Sequence, residues 1–380
     1  MNNEISEKTK NFELTVLLPA LNEIESIDRI IEEIKLELSN TEINYCIIVS
    51  DNGSTDGTLD VAKKHNTIIN HVKEKGYGSN LKTSIKLIKS KYLVFFDSDG
   101  SYDPKEIIPL YNEIKKTNYA MVYGNRLIKQ EKKSMPFLNR YLGTPVLSKL
   151  ISLFFDMSVK DCNSGMRMLK VSSFKDINFF CKGMEFASEM FIKSKFNNLK
   201  IKEIVINFRR DFRSGSPHLS RWRDGWRHLR YIIANAPDKY ISSLAMIFLV
   251  NYFIIFTLSF MNSENSFPRY HTIFSLLAIN YLFQAFFLGI ISIRIYLVNI
   301  LSLESKIIFF LKNLKNKNTL MKIFLSFIFL SLLELIIVFF KWYLADFGEL
   351  AEINHMIRIL VYSALGSFFM YFDLQLESRE

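Results

Sequence analysis

The sequence predicts an α/β domain built on a mostly parallel sheet, followed by about four transmembrane α-helices. Three observations predict it. Short β-rich runs alternate with helical stretches up to about residue 240, the pattern of strands joined by crossover helices. Beyond residue 240 long apolar runs dominate. Clusters of Asp, Asn and Gly follow individual strand-like runs, and ligands in such sheets bind at the carboxyl ends of strands.

The elements can be taken in order. ELTVLLP (13–19), NYCIIVS (44–50), YLVFFD (92–97), AMVYG (120–124) and IKEIVINF (201–208) read as strands, and helical periodicity fills 24–39, 57–65, 78–90 and 104–116. Four apolar segments follow, at 241–261, 272–298, 320–340 and 356–372; about 20 residues cross a bilayer core. The division expected is a soluble domain over 1–220, a juxtamembrane interfacial helix over 221–240 and a membrane domain over 241–380. The connection 299–319 carries Lys306, Lys312, Lys315 and Lys317, whereas the two other loops carry one basic residue each. Basic loops favour the cytoplasmic side, so both termini are expected inside, in a bacterial inner (cytoplasmic) membrane. Glu334 lies within the third apolar segment, where an ionisable group needs a partner, and Arg358 is the candidate.

Composition narrows the function. With 49% hydrophobic and 23% charged residues and 8 prolines, the chain is neither disordered nor collagen-like. Cys46, Cys162 and Cys181 are far apart with no Cys-x-x-Cys pair, so reduced thiols are expected and a zinc site is not. The polar N-terminus has no apolar signal segment. The net charge is +10, almost all of it before residue 241. Residues 193–230 hold eleven Lys/Arg against three Asp/Glu and interleave arginines with Trp222 and Trp226, a composition that suits a headgroup layer. Nucleic acid, the rival partner, is set aside because the first apolar segment begins ten residues later.

Two loops carry carboxylate chemistry. SDNGSTDGT (50–58) places Asp51, Asn52 and Asp56 among Gly53 and Gly57 after a strand; a strand-end carboxylate can bind a base or ribose, or the cluster can be an Asx-rich turn with Thr55 or Asp56 capping the next helix. FFDSDGSYDP (95–104) sets Asp97 and Asp99 two apart. Carboxylates held so closely repel, and a hard divalent cation bridging to a diphosphate neutralises them. An EF-hand fails here, because Tyr102 stands where its glycine belongs and Ile108 where its glutamate belongs. Asp103 reads as the cap of a helix starting at Pro104. Gly76, Tyr77 and Gly78 open the 78–90 helix, where a permissive backbone can lie against a ligand. There is no Walker A lysine pattern or GxGxxG.

Strand-PALNE, strand-DNGSTDGT and strand-DSD, in that order, resemble glycosyltransferase family 2, the inverting GT-A enzymes. GNRL (124–127), DCNSGMRML (161–169), GMEFASEM (183–190) and the arginine-rich stretch resemble its polyisoprenyl-phosphate branch, which includes dolichol-phosphate mannose and glucose synthases. The resemblance covers residues 12–240. It implies a GT-A catalytic domain that moves a sugar from a nucleotide-diphosphate sugar to a polyprenyl phosphate lipid. By the same resemblance Pro19, Ala20, Asn22, Glu23, Asp51, Asn52 and Gly76 belong to the donor site, with Asp97 and Asp99 holding Mg2+ or Mn2+. Ser101 stands where many relatives have a metal-binding glutamine. Arg126 matches an arginine near the phosphates and Asp161 an aspartate of the acceptor site, beside Ser164, Gly165 and Arg167. Glu189, four residues after Glu185, matches a glutamate near the acceptor. The acceptor phosphate falls to one or more of Arg209, Arg210, Arg213 and Arg221; the family's Gly-x-Ser-Lys is Gly215-Ser216-Pro217-His218 here, without the lysine. Two rivals remain: a hydroxyl acceptor, which would need a general base, and a nonenzymatic membrane scaffold. The missing QxxRW argues against processive polysaccharide synthases. Oligomeric state, including a homo-oligomer, stays open.

Overall fold

The computed structural model describes residues 2–132, 134–213, 221–236 and 319–344, together with Arg358, Ile359, Tyr362, Ser363 and Gly366. The apolar segments 241–261 and 272–298, the basic connection up to residue 318 and residues 214–218 lie outside them, as does most of 356–372. The chain divides into two compact units, Met1–Ile232 and Ile233–Glu380.

The first unit is a seven-stranded sheet flanked by helices. A short helix, α1 (Asn2–Thr9), leads into β1 (Leu14–Ala20), whose seven residues are all buried, as a strand covered on both faces requires. Then come α2 (Ile27–Ser39), β2 (Tyr45–Asp51), α3 (Thr58–Lys64), β3 (Ile68–His71), α4 (Tyr77–Leu87) and β4 (Tyr92–Phe95). In α2 the buried residues are Ile27, Ile30, Ile31, Ile34 and Leu38, a stripe at helical spacing that closes one side of the sheet. A 3-10 turn at Pro104–Glu106 precedes α5 (Ile107–Lys116). It starts as its sequence suggests: the Asp103 carboxylate accepts from the Lys105 amide at 3.1 Å, with Pro104 in the first turn. β5 (Met121–Gln130), α6 (Thr144–Phe155), β6 (Arg167–Lys170), α7 (Val171–Phe174), α8 (Phe186–Phe196), β7 (Ile201–Phe208) and α9 (Arg221–Ala234) complete the unit.

The strand order is β3-β2-β1-β4-β6-β5-β7. All neighbours are parallel except β6, which runs antiparallel between β4 and β5. Register then decides where chemistry can assemble. Ala20 pairs with Asp51, Leu17 with Phe95, and Arg167 with both Phe95 and Tyr123. The loops leaving β1, β2 and β4 and the loop entering β6 therefore meet at one edge, and Tyr102 bridges to Phe208 at the end of β7 beside them.

In the second unit the helix Thr319–Leu344 runs 26 residues, about 39 Å at 1.5 Å per residue. Across the residues whose side chains are described, no helix is long and apolar enough to cross a membrane. The backbone helix nevertheless carries only Lys322, Glu334 and Lys341 as charged residues in an otherwise apolar sequence, and Leu325, Phe329, Leu332, Ile336 and Phe340 are exposed along it. Arg358 donates to Glu334 at 2.8 Å, the pairing expected from the sequence.

Candidate active site

The site is assembled by hydrogen bonds between loops that are distant in sequence. After β1, Asn22 adopts φ +57°; its amide donates to Ser54 Oγ at 3.0 Å and its side-chain oxygen accepts from the Thr55 amide at 2.9 Å. The Glu23 amide donates to Thr58 Oγ1 and the Ile24 amide to Asp56. Asp56 also accepts from the Thr58 amide at 3.0 Å, an Asx turn one residue ahead of the α3 N-cap, which is Gly57 and not Thr55 or Asp56. Pro19 and Ala20 end β1 against Ser50 and Asp51, and the Pro19 carbonyl accepts from Ser98 at 2.8 Å. Asp51 takes the Gly53 and Ser54 amides at 3.0 and 2.9 Å. Burial alone would raise its pKa, but these bonds and His71 hold it below the ordinary carboxylate value.

Asn52 and Gly76 serve the architecture of this edge. The Asn52 amide nitrogen donates to the carbonyls of Val72 and Glu74, and its oxygen accepts from the Gly76 amide at 2.8 Å. Its side chain clamps the 72–76 loop to the end of β2. Gly76 sits at φ +120°, and a Cβ there would lie 2.2 Å from the Lys182 carbonyl. The glycine is required because α4 begins pressed against residues 181–183, an explanation that needs no ligand.

The two aspartates differ. Asp99 accepts from the Ser101 amide at 3.0 Å and its hydroxyl at 2.6 Å, so Ser101 orients this carboxylate. Asp97 lies deeper, and burial first, then the charge of Asp99, push its pKa up to about 7 against the pull of Arg126 and Tyr77. The loop ahead of β6 comes right up to it: a Cβ on Gly165 would stand 2.9 Å from Asp97 Oδ2 and 3.1 Å from the Tyr102 hydroxyl, which accepts the Gly165 amide. Tyr102, fully buried, thus ties the metal-type loop to residues 161–165. Arg167, also buried, donates to the carbonyls of Ser164, Cys162 and Ala187, fixing the same loop from below. Ser164 Oγ is buried without a hydrogen-bond partner.

Asp161 and Arg126, 35 residues apart, form one unit. Arg126 Nε and Nη2 each donate to the Asp161 carboxylate at 2.8 Å, and the Arg126 amide adds a third bond at 3.0 Å. Asp161 is fully buried. Burial opposes the Arg126 charge, yet Asp161 outweighs it and raises the pKa of the guanidinium further. Arg126 alone thus takes three of the roughly four lone-pair sites of the Asp161 carboxylate.

The segment after β7 crosses the two-aspartate loop. The Arg209 amide donates to Ser101 and the Phe212 amide to the Asp99 carbonyl, both at 2.8 Å. The Phe212 ring covers Gly100, where φ is +87° and a Cβ would lie 2.3 Å from the ring. Arg209 is spent on the Gly100 and Tyr102 carbonyls and Glu33. Arg210 is exposed, its amide donating to Glu131. Arg213 reaches into the site, pairing through Nε and Nη2 with Glu23 and lying 3.5 Å from Asp99. Burial leaves Glu23 with a raised pKa despite this partner. Arg221 has no described side chain. Glu189, expected near an acceptor, is instead a loop clamp: its buried carboxylate takes the Phe180 and Cys181 amides at 2.8 and 2.9 Å and faces Lys193. Cys46, Cys162 and Cys181 are free and buried.

Comparison with known proteins places this arrangement. The model of glycosyl transferase family 2 matches residues 15–178, which contain every loop of the site except the 209–213 segment. A protein of Methanocaldococcus jannaschii, MJ1222, is 34% identical over 212 residues, 54% of this chain and 84% of that one. The chain belongs to glycosyltransferase family 2. Within this family the low-salt glycan biosynthesis hexosyltransferase Agl6 of Haloferax volcanii is 33% identical over 231 residues, 60% of this chain. The chain spans 55% of the length of that relative. The dolichyl-phosphate hexose transferase of the same organism is 25% identical over 213 residues, 56% of this chain and 89% of that one. The β1, β2 and β4 loops thus meet at one edge of a GT-A fold, and Tyr102 ties that edge to the loop before β6.

Proposed function

We propose that the protein is an integral membrane glycosyltransferase that moves a sugar, with inversion, from a nucleotide-diphosphate sugar to a polyprenyl phosphate. The observation that carries this reading is the occupied state of Asp161. A hydroxyl acceptor needs a base within hydrogen-bond reach, and Asp161, the acidic residue of the loop before β6 expected at the acceptor, already accepts from three N–H groups of Arg126. A phosphate monoester, with its second pKa near ~6, is already an anion at neutral pH and needs no base. The exposed apolar side chains of helix Thr319–Leu344 and the Trp222 and Trp226 rings on basic α9 support a lipid-bound acceptor, as does the likeness to a dolichyl-phosphate hexose transferase. We place the first unit on the cytoplasmic side of a cytoplasmic membrane.

The chain's residues divide the work. The β1 and β2 loops, held together through Asn22, Ser54 and Asp56, form the nucleotide cradle, with Asp51 at its floor. Asp97 and Asp99 fit a divalent cation, Mg2+ or Mn2+: they are two hard oxygen donors whose mutual repulsion in a buried site calls for positive charge. When bound, that ion supplies charge neutralisation for the departing diphosphate. Arg213, beside Glu23 and Asp99, adds a guanidinium on the same side. Arg126, oriented by Asp161, directs positive charge toward the incoming phosphate, and a single in-line displacement inverts the anomeric carbon. The test is lipid product formation by membranes containing the protein, with UDP- or GDP-sugars, the cation and polyprenyl phosphate; Asp99→Ala should abolish it. Product made only on a hydroxyl acceptor would overturn the reading.

A further inference from the structure

Glu203 stands on the edge strand β7, outside every loop of the site, yet its carboxylate joins the two backbone segments that carry Arg126 and Asp161. Its Oε2 accepts from the Tyr123 hydroxyl at 2.6 Å and from the Lys160 amide at 3.1 Å. Its Oε1 accepts from the Asn125 side-chain amide at 2.9 Å, with Lys160 Nζ at 3.8 Å. Asn125 immediately precedes Arg126, and Lys160 immediately precedes Asp161. One side chain, 16% exposed, thus reaches both members of the buried pair through their chain neighbours.

The local backbone shows why β5 needs this support. β5 and β7 pair in register from Met121 and Ile201 to Asn125 and Val205, and pairing resumes only at Lys129 and Asn207. Arg126, Leu127 and Ile128 therefore stand against Ile206 alone. Such a bulge re-aims side chains and interrupts the ladder, leaving amides that need another acceptor. Asn125, 1% exposed, provides it: its side-chain oxygen accepts the Leu127 amide at 2.9 Å. Its nitrogen is committed to Glu203, so Glu203 fixes the side chain that fixes the bulge.

We propose that Glu203 is a positioning residue for sugar transfer: it ties the β5 bulge to the backbone at Lys160, so that Arg126, already bound to Asp161, presents its guanidinium to the incoming phosphate. The proposal rests on the lipid-phosphate reading for what Arg126 meets. The donor set around Glu203 requires a carboxylate, because every neighbour donates, whereas a glutamine accepts through one oxygen and turns an NH2 toward the rest. Glu203→Gln keeps the shape but sets its NH2 against that of Asn125. Adding Asn125→Asp reverses the polarity of that contact: the new carboxylate accepts from the glutamine NH2 and from the Leu127 amide.

Transfer is measured with the full chain in membranes, a nucleotide-diphosphate sugar, Mg2+ or Mn2+, and polyprenyl phosphate. Glu203→Gln should raise KM for polyprenyl phosphate about tenfold and leave KM for the nucleotide sugar at its wild-type value. Glu203→Gln with Asn125→Asp should recover most of the loss. A KM that rises for donor and acceptor together overturns the proposal, as does a folded double variant no better than the single one. Amide hydrogen exchange needs no substrate: the Leu127 and Lys160 amides should exchange faster in Glu203→Gln at an unchanged melting temperature. If the wild type transfers to no polyprenyl phosphate, the functional reading fails while exchange still decides the positioning. Unchanged protection at both amides in Glu203→Gln overturns it whatever the kinetics.

Discussion

At the scale of residues, Asp161 is the telling one. Its spacing from Arg126 carried no signal, and only the fold shows that the two expected site residues are one buried pair. Separating the partners should cost about 3–5 kcal/mol, because a buried charge is left uncompensated. Thermal unfolding of Asp161→Asn, Arg126→Ala and the double variant should therefore show strong coupling. Whatever activity Asp161→Asn retains should keep the acid limb of the wild-type pH–rate profile, since the carboxylate is not the base; disappearance of that limb would contradict the account. Tyr102→Phe leaves the buried Gly165 amide without its acceptor, at about 1–3 kcal/mol. It should raise KM for the acceptor with little change in donor binding. The mutual repulsion of Asp97 and Asp99 was legible from their two-residue spacing. The roles of Asn52 and Glu189 were not, because polar side chains that clamp a loop look in sequence like ones that bind a ligand. The Glu23–Arg213 contact spans 190 residues, beyond any local pattern.

At the scale of elements, the strands over 13–19 and 44–50 were legible because buried parallel strands are continuous apolar runs, and 201–208, a mostly unburied edge strand, through its β-branched residues. The strands β3 and β6 were not: each has four residues, and unlike the equally short but wholly apolar β4, β3 ends in Asn70 and His71 and β6 is bounded by Arg167 and Lys170. β6 was read instead as part of a polar motif, and its antiparallel insertion brings Gly165 and the residues before it to the edge where the β1, β2 and β4 loops meet. α9 carries a testable coupling of its own. His228 is buried with Nδ1 2.7 Å from Ser188 Oγ on α8, and burial first, then Arg167 and Arg227, lower its pKa to about 3. The unfolded chain protonates it near its ordinary value, so the fold binds fewer protons and loses stability as pH falls from about 6.5 toward about 3. By pH 5 the loss at this contact is about 2 kcal/mol. Hydrogen exchange of α9 amides should accelerate accordingly, and His228→Gln should remove the pH dependence.

At the scale of the whole molecule, the apolar C-terminal segments and the basic stretch beside them pointed to a membrane before any coordinates. The third segment forms one continuous helix, with Glu334 paired to Arg358. Glu334→Gln should weaken packing of these helices, read as faster proteolysis in detergent, whereas Glu334→Gln with Arg358→Leu should restore it. The central claim is that the sugar of a nucleotide-diphosphate sugar is transferred to a lipid phosphate at the loop edge of this sheet, with release of the nucleoside diphosphate. Its most direct test is thin-layer detection of radiolabelled lipid after incubating membranes with labelled nucleotide sugars, Mg2+ or Mn2+, and undecaprenyl or dolichyl phosphate. The account predicts an acid-labile, alkali-stable lipid-linked sugar that Asp99→Ala abolishes. Donor hydrolysis without any such lipid, or label found only on a hydroxyl acceptor, would contradict it.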